Sequence, residues 1–326
     1  MLSDVMDYFG FERELDHLGF FETEQQKHLE KELQKLLRQG KLVALSGIVG
    51  SGKTTAIERL QHQLKQAKDV IVSRSLAIDK ERVNLAALIA ALFYDLSPEE
   101  GVKLPTRPEL RERKLLKLFE KCRKPVVLFI DDAHGLHSQT LVRLKRLVEL
   151  IRCDGGTLSV VLVGHPKLKN DLRRPSLEEI GARTTIFSLE GIRGCQRDYI
   201  EWVLKEATGH QSQPTELLSE EALVFLAERL STPLQIEQYL TLAFERAFKI
   251  GQKPVTPDIL TDILAQGLDE MEPYLTRHGY NAKTLAQLLN IRVSEVRSFL
   301  QGQLAPGRTQ ELREQMLKVG IPLLAS

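Results

Sequence analysis

The sequence predicts an α/β fold in which helices cover both faces of a parallel sheet, followed by two helical parts. Three observations predict it. A glycine-rich loop at residues 47–54 follows a short apolar run, and apolar runs of strand length alternate with amphipathic stretches as far as residue 189. After Gly194 only helical patterns remain. Alternating strands and helices indicate βαβ units, whose crossover helices bury both faces of a parallel sheet.

The individual elements follow from hydrophobic periodicity along the chain. Apolar residues every three or four positions predict helices, and short continuous apolar runs predict buried strands. The predicted strands are 41–46, 69–73, 126–130, 158–164 and 184–189, and the helices between them are 24–38, 54–64, 84–96, a basic helix after Pro108, and 139–152. Beyond Gly194 the predicted helices are 197–206, 219–230, 235–250, a shorter one from residue 256, 281–291, 292–300 and 308–319. We therefore predict three domains, at 1–194, 195–268 and 269–326.

Composition indicates an ordinary soluble protein. The chain has 326 residues, of which 42% are hydrophobic and 27% charged, with a net charge of +1. Its three cysteines, Cys122, Cys153 and Cys195, do not have the spacing of metal ligands, which favours a reducing compartment over a disulfide framework. No signal peptide opens the sequence and no apolar stretch reaches the length of a membrane span. We expect a cytoplasmic protein without a membrane partner.

Charge is unevenly distributed along the chain. Residues 1–30 carry eight acids against two bases, and residues 103–124 carry nine bases against three acids. The basic run is either the solvated face of a helix or a surface that contacts nucleic-acid phosphates.

The loop at residues 47–54 fits the G-x-x-x-x-G-K-[ST] pattern of a P-loop, between a predicted strand and a predicted helix. Glycines let backbone N–H groups approach phosphates, and the helix N-terminus adds a favourable dipole. Lys53 is expected to reach the β- and γ-phosphates, and the Thr54 hydroxyl to bind Mg²⁺. The predicted ATP-binding residues are Gly47, Val49, Gly50, Ser51, Gly52, Lys53, Thr54 and Thr55.

A second motif, at residues 126–132, is an apolar strand that ends in two carboxylates. This is the Walker B pattern, and behind a P-loop it predicts that Asp131 binds Mg²⁺ directly or through water. Asp132 lies where many ATPases place a glutamate that polarises the attacking water. Because aspartate is one methylene shorter, we expect hydrolysis to be slow or to need a partner.

Together with a buried strand that ends in Val163-Gly164-His165-Pro166 and an all-helical part behind it, these motifs resemble the AAA+ ATPases. The opening around residues 8–21 and the 162–168 segment resemble the branch that holds the ExeA-type ATPases and the transposition regulators TnsC, TniB and MuB. The resemblance covers about residues 5–250. It implies an ATPase that assembles into rings or filaments.

The same resemblance implies further catalytic residues. His165 matches the family's sensor-1 position and is expected to bond the γ-phosphate or the attacking water. Arg183 matches the arginine that reaches a neighbouring subunit's nucleotide, with Arg173 and Arg174 as substitutes. The sensor-2 arginine is missing, because Pro233 is followed by Leu234 and Gln235. Gln235 is the remaining donor there. A purely structural role remains the alternative for both residues. His165 would then be a hydrogen-bonded surface histidine, and Arg183 a simple salt-bridge partner.

The last block has the pattern of a helix-turn-helix. Apolar residues over 281–300 are spaced as the core of two helices joined by a short turn, and this resembles repressor-type units. Residues 271–326 carry seven bases and four acids. A small protein-interaction module is the alternative. The candidate DNA contacts are Lys80, Arg82, Lys103, Arg107, Arg292 and Arg297.

We therefore predict an ATP- and magnesium-dependent regulator of transposition that oligomerises on duplex DNA. It would recruit a separate transposase, with a target-selector protein as a further possible partner. The alternatives are an ExeA-like ATPase for assembly of a secretion complex and a nucleotide switch that binds only protein. DNA binding that depends on ATP separates the first from both.

Overall fold

The computed structural model describes residues 1–74, 84–97, 104–265, 275, 280–319 and 321. Two compact units can be distinguished by their internal contacts. The sheet unit comprises Glu24–Gly47 and Lys53–Leu189. The helical unit comprises Met1–Thr23, Ile48–Gly52 and Glu190–Ser326.

Within its described residues, the sheet unit contains five strands and the helices that flank them. The strands are β1 (Leu42–Gly47), β2 (Ile71–Arg74), β3 (Val126–Ile130), β4 (Leu158–Gly164) and β5 (Thr184–Leu189). The helices of this unit are α2 (Glu24–Leu37), α3 (Lys53–Ala67), α4 (Leu85–Leu96), α5 (Pro108–Lys121), α6 (Ser138–Cys153), α7 (Pro166–Leu172) and α8 (Glu178–Gly181), and α1 (Ser3–Phe9) precedes them in the other unit. Each predicted strand and helix of this region is present within a few residues of its expected bounds.

The five strands form one parallel sheet in the order β2-β3-β4-β1-β5. Its central strands are buried on both faces, and alternate residues belong to different cores. Leu42 and Ala44 of β1 pack in one hydrophobic cluster with α4, α5 and α6, whereas Val43 and Leu45 pack in another with α2 and α3. Helices therefore cover both faces, as the alternation of elements predicts. The predicted α/β fold is confirmed.

The helical unit contains α1 and the helices after β5. These are α9 (Gln196–Ala207), α10 (Pro214–Leu217), α11 (Glu220–Arg229), α12 (Pro233–Ile250), α13 (Pro257–Ala265), α14 (Ala282–Leu289), α15 (Val293–Leu300) and α16 (Pro306–Lys318). One hydrophobic cluster joins α1, α9, α11, α12, α14, α15 and α16. Residues 1–23 pack with the helical unit, and the C-terminal helices share its core. The division at 194 and 268 stays a prediction.

The two helices α14 and α15 are joined by a turn of three residues, Asn290 to Arg292. Asn290 ends α14 in the left-handed region, with φ 54°, which asparagine tolerates better than most residues. The sequence pattern predicts Leu285, Ala286, Leu289, Ile291, Val296 and Leu300 as the core of the pair. Leu285, Ala286, Val296 and Leu300 are buried, together with Phe299, whereas Leu289 and Ile291 are half-buried against them. None of the helices that the structure describes combines the length and hydropathy needed to span a bilayer.

Candidate nucleotide-binding site

The sheet brings Asp131, Asp132 and His165 to one edge. β3, β4 and β1 are adjacent and parallel, so their carboxyl ends meet there. Ile130 is level with Leu162 on β4, and Leu162 is level with Ala44 on β1. Two residues farther along each strand the chain reaches Asp132, Gly164 and Ser46. Ligands of open α/β sheets bind in the crevice outside such strand ends.

The glycine-rich loop connects β1 to α3. Gly50 and Gly52 have φ of 77° and 85°, in the left-handed region that glycine adopts without strain. The Ser51 N–H donates to the Ile48 carbonyl at 3.3 Å, which closes the loop on itself. Helix α3 begins at Lys53. Its first backbone N–H groups have no partner within the helix, so the chain provides the anion site that a P-loop needs.

Close packing against other residues of the helical unit also requires a glycine at position 50. A Cβ atom at this position would lie 2.5 Å from Leu234 Cβ and 3.2 Å from Thr232 Oγ1, at the start of α12. A Cβ atom at Gly52 would meet nothing within 4 Å.

We expect Gly50→Ala to lower the free energy of unfolding more than Gly52→Ala does. Both alanines would occupy the left-handed region, at about 1 kcal/mol each. Only Gly50→Ala adds a steric overlap with α12, worth about 1–3 kcal/mol. Chemical denaturation of the two variants without nucleotide measures the difference. Equal losses of stability would contradict the contact between Gly50 and α12.

Lys53 lies close to the carboxylates at the end of β3. Burial lowers the pKa of Lys53 to about 8, and the negative charges of Asp131 and Asp132 partly oppose that shift. A cation that has lost part of its hydration shell interacts strongly with an incoming phosphate. This environment fits the predicted role of Lys53 in binding the β- and γ-phosphates.

The two aspartates have different local structures. The Asp131 Oδ1 atom accepts the Asp132 N–H at 2.8 Å, and Asp131 is exposed. Asp132 has φ 50°, in the left-handed region, and precedes a single 3₁₀ turn at Ala133–Gly135. Aspartate and asparagine tolerate this conformation better than other side chains. The backbone therefore directs the two carboxylates differently, which suits separate roles in metal binding and water activation.

Magnesium prefers hard oxygen ligands. The Asp131 carboxylate and the Thr54 hydroxyl, in the first turn of α3, are both exposed oxygen donors. They fit the ion that accompanies a nucleoside triphosphate. When bound, magnesium would neutralise charge on the phosphate oxygens.

His165 and His134 form a pair behind the carboxylates. His165 is buried, with 7% of its surface exposed, and its ring centroid lies 5.6 Å from that of His134. Burial, with smaller contributions from the charge of Lys53 and from His134, lowers the pKa of His165 to about 4. The imidazole is therefore neutral near pH 7. In the proposed sensor role it would act as a neutral hydrogen-bonding group rather than as a cation.

Sequence reasoning gave no catalytic role to His134. Its Nδ1 atom accepts the backbone N–H of His165 at 3.5 Å, and its ring packs against Gly164. A Cβ atom at Gly164 would lie 3.1 Å from the His134 backbone nitrogen. His134 therefore links the turn after β3 to the end of β4. The sequence signal for His134 is its place two residues after Asp132.

Arg183 precedes β5, at the opposite end of the strands from Asp131. Its side chain is 58% exposed and forms an ion pair with Glu149 of α6. Arg174 pairs with Asp171 at 2.9 Å. The structure shows Arg183 as an exposed partner in a local salt bridge, which is the structural alternative to the finger role. The trans role of Arg183 stays a prediction.

The expectation for Gln235 is wrong. Gln235 is fully buried, and its Oε1 atom accepts the N–H groups of Ser231 and Thr232 at 3.2 and 3.3 Å. Its Nε2 atom donates to the Ile321 carbonyl at 2.8 Å. The Gln235 side chain thus completes a capping box at the start of α12 and also forms a hydrogen bond to the C-terminal block. It cannot substitute for a sensor-2 arginine.

The candidate DNA contacts divide into two sets. Lys80, Arg82 and Lys103 lie outside the described residues. Arg107, before α5, and Arg292 and Arg297, on either end of α15, are exposed.

Comparison with known proteins agrees with this geometry. Residues 34–172 match the family model of the AAA domain. The match contains the glycine-rich loop, Lys53, both aspartates and His165, and it supports an ATPase.

One curated relative is General secretion pathway protein A of Aeromonas hydrophila. It is 34% identical over 148 residues, which are 45% of this chain and 26% of that protein. The chain thus spans about a quarter of the length of the relative it matches.

Two solved structures align with most of the chain. One is Cdc6p of Pyrobaculum aerophilum, with 18% identity, 97% of this chain and 90% of the other covered, and a TM-score of 0.49. The other is the Aeropyrum pernix Orc1 protein in complex with DNA, with 14% identity, 95% and 88% covered, and a TM-score of 0.49. At these identities and scores, neither likeness bears on what this chain does.

Proposed function

We propose that the chain is an ATP-dependent, DNA-binding AAA+ regulator of transposition. Two parts of one chain support the proposal: a glycine-rich loop and Lys53 followed by Asp131 and Asp132 at the sheet edge, and a helix-turn-helix with exposed arginines. The first part would sense the nucleotide and the second would bind duplex DNA.

The nucleotide part of the proposal depends on the sheet edge. Lys53 and the loop amides would bind the phosphates of ATP, and Thr54 and Asp131 would hold Mg²⁺. Asp132 and His165 would orient the attacking water. Since aspartate replaces the longer glutamate and no sensor-2 arginine follows Pro233, we expect slow turnover that a partner stimulates.

The DNA part depends on α14 and α15. Two eight-residue helices joined by a three-residue turn have the connectivity of a helix-turn-helix, in which the second helix enters the major groove. Arg292 and Arg297 are exposed on or next to α15. Glu295, the acidic residue between them, shares Arg308 with Glu311, at 2.8 and 2.6 Å. The two arginines outnumber the one acid on α15 and its N-cap, and this net positive charge suits a DNA backbone.

Assembly would connect the two parts. In a ring or filament on duplex DNA, Arg183 would leave Glu149 and reach the nucleotide of the next subunit, where an arginine finger stabilises developing charge. A transposase, and a target-selector protein where one is used, would bind the assembly. We place it in the cytoplasm, since the cysteine pattern favours a reducing compartment.

Sizing and electron microscopy with nucleotide and duplex DNA test this proposal. We expect rings or filaments only when duplex DNA and ATP, or a non-hydrolysable analogue, are both present, and not with ADP. A chain that stays monomeric and does not bind DNA in any nucleotide state would overturn it.

A DNA-binding titration tests the role of α15. We expect the double variant Arg292→Ala/Arg297→Ala to bind duplex DNA at least about tenfold more weakly. The slope of log affinity against log salt concentration should decrease by about two, because each of the two lost phosphate contacts releases counterions. Arg246→Ala/Lys249→Ala, which removes two exposed bases from the end of α12, is the matched control and should bind normally. Equal affinities of the two double variants would exclude α15 as the contact surface.

The secretion relative favours a second candidate function. Its 34% identity over 148 residues supports an ATPase that drives assembly of a secretion complex. If this second function is correct, the chain would still bind nucleotide, but DNA would not affect its assembly. A switch that binds only protein would behave in the same way, and co-purification of an envelope component would separate the two.

A further inference from the structure

Within the helical unit, the phosphate-binding loop contacts the start of the C-terminal block. The Val49 N–H donates to the Tyr280 hydroxyl at 3.1 Å. Tyr280 is 1% exposed and lies two residues before α14, so its ring is anchored in the core while its hydroxyl reaches the loop. Nothing in the AAA domain match, which ends at residue 172, involves this residue.

The other end of the C-terminal block is held at a neighbouring point. Ile321, just after α16, accepts a hydrogen bond from Gln235 at 2.8 Å. Gln235 caps the start of α12, and the adjacent Leu234 and Thr232 pack against Gly50 of the loop. One end of the helix-turn-helix block is therefore bonded to the loop, through Tyr280. The other end is bonded to the start of α12, which packs against the loop.

The hydroxyl of Tyr280 is well suited to hold the loop. Burial raises the pKa of Tyr280, so its hydroxyl stays protonated, and a lone pair of the hydroxyl oxygen accepts the Val49 N–H. Val49 is half-buried, so without this acceptor its amide would lose its protein partner and depend on water for a hydrogen bond. The bond therefore favours one loop conformation, in which Gly50 and Gly52 are left-handed and the amides are arranged before a phosphate arrives.

We propose that Tyr280 is a positioning residue for the phosphate-binding loop, and that it couples nucleotide binding to the conformation of the C-terminal block. The inference rests on the proposed binding of nucleotide in this loop. It adds a route by which the nucleotide acts on the part that would contact DNA.

Coupling of this kind is reciprocal. If the Tyr280 contact favours the nucleotide-binding loop, then bound nucleotide must favour the contact by the same factor. Amides of α14 and α15 should therefore exchange with solvent more slowly when nucleotide is bound. A residue that merely fills the core would not produce a nucleotide-dependent change at these helices.

Tyr280→Phe tests the proposal with little change in packing. The ring remains and only the hydroxyl is lost. Loss of one neutral hydrogen bond should weaken binding of MgATP and of MgADP by about 3- to 10-fold. It should also raise KM without a matching fall in kcat, since the reacting groups are untouched.

Tyr199→Phe is the matched control. Tyr199 belongs to the same hydrophobic cluster, but its hydroxyl bonds Glu237 at 2.5 Å and not the loop. We expect this variant to lose stability and to keep the affinity for nucleotide. If Tyr280→Phe and Tyr199→Phe bound MgATP equally, the positioning role would be overturned.

Hydrogen exchange of the three proteins with and without MgADP completes the experiment. We expect nucleotide to slow exchange in α14 and α15 of the parent protein and of Tyr199→Phe, and much less in Tyr280→Phe. Unchanged nucleotide protection in Tyr280→Phe would overturn the coupling. If the parent chain bound nucleotide but Tyr280→Phe behaved identically, the inference would fail while the ATPase proposal stood. If the parent chain bound no nucleotide, both would fail.

Discussion

Lys53→Met should abolish measurable ATP hydrolysis and weaken binding of MgATP at least about 30-fold. The lysine places a partly desolvated charge where the phosphates are expected, and its pKa is lowered to about 8 by that burial. Truncating one partner of a buried, hydrogen-bonded charge pair costs about 2–5 kcal/mol. Methionine keeps the length of the side chain but supplies neither the charge nor the donors. Fluorescent-nucleotide titration and a phosphate-release assay measure the two effects.

The effect of Lys53→Met on stability should have the opposite sign. A lysine whose pKa is lowered on folding destabilises the folded state while it is protonated, and this cost disappears as the pH rises from about 8 past 10.5, the ordinary value. At pH 7 the variant removes the cost, so the free energy of unfolding should be unchanged or higher. Lys65→Ala, at an exposed position of the same helix, should leave binding intact. Nucleotide binding by Lys53→Met close to the parent value would exclude the loop as the phosphate site.

The sheet and its site could be predicted because their signals are local in the sequence. β1, β3 and β4 are continuous apolar runs. The glycines between β1 and α3 have the spacing of a P-loop, which few other structures require. Parallel strands then bring Asp131, Asp132 and His165 to one edge without further information. The boundaries of α2, α4 and α6 were also within two residues of prediction, because each has one apolar stripe.

What the sequence could not predict depends on contacts between distant segments. Val5 and Phe9 of α1 pack in the same cluster as Phe244 of α12, more than 230 residues away along the chain. Tyr280 reaches Val49 across 231 residues. Neither a tyrosine hydroxyl nor an apolar helix face indicates which residues it will contact. Hydrophobic periodicity therefore predicts a helix or a strand, but not the compact unit in which that element packs.

Gln235 shows a further limit. Its position after Pro233 matches the place of the sensor-2 arginine in the AAA+ pattern, and this position alone predicts a donor directed at the nucleotide. The structure uses the same amide to cap α12, since a threonine three residues earlier completes a capping box. That threonine was visible in the sequence as Thr232. Local capping chemistry was therefore the better guide to Gln235 than the family's pattern.

Asp132→Asn should lower kcat for ATP hydrolysis about 100-fold or more while leaving the affinity for MgATP within about threefold. A carboxylate that activates water contributes about 10²–10⁴-fold to the rate, and the amide cannot accept the proton. Asparagine is the suitable replacement because Asp132 has φ 50°, a conformation that asparagine also tolerates, whereas alanine would add strain. Single-turnover hydrolysis and equilibrium nucleotide binding separate the two effects.

The neighbouring aspartate provides the contrast that assigns the roles. Asp131→Asn should also slow hydrolysis, but it should in addition raise the magnesium concentration needed for nucleotide binding, because Asp131 is the carboxylate that fits the ion. Asp154→Asn, at an exposed residue after α6, should change neither property. If Asp132→Asn shifted the magnesium requirement and Asp131→Asn did not, the two roles would have to be exchanged. The left-handed backbone at Asp132 would then serve to direct a metal ligand, and Asp131 would be the carboxylate that activates the water.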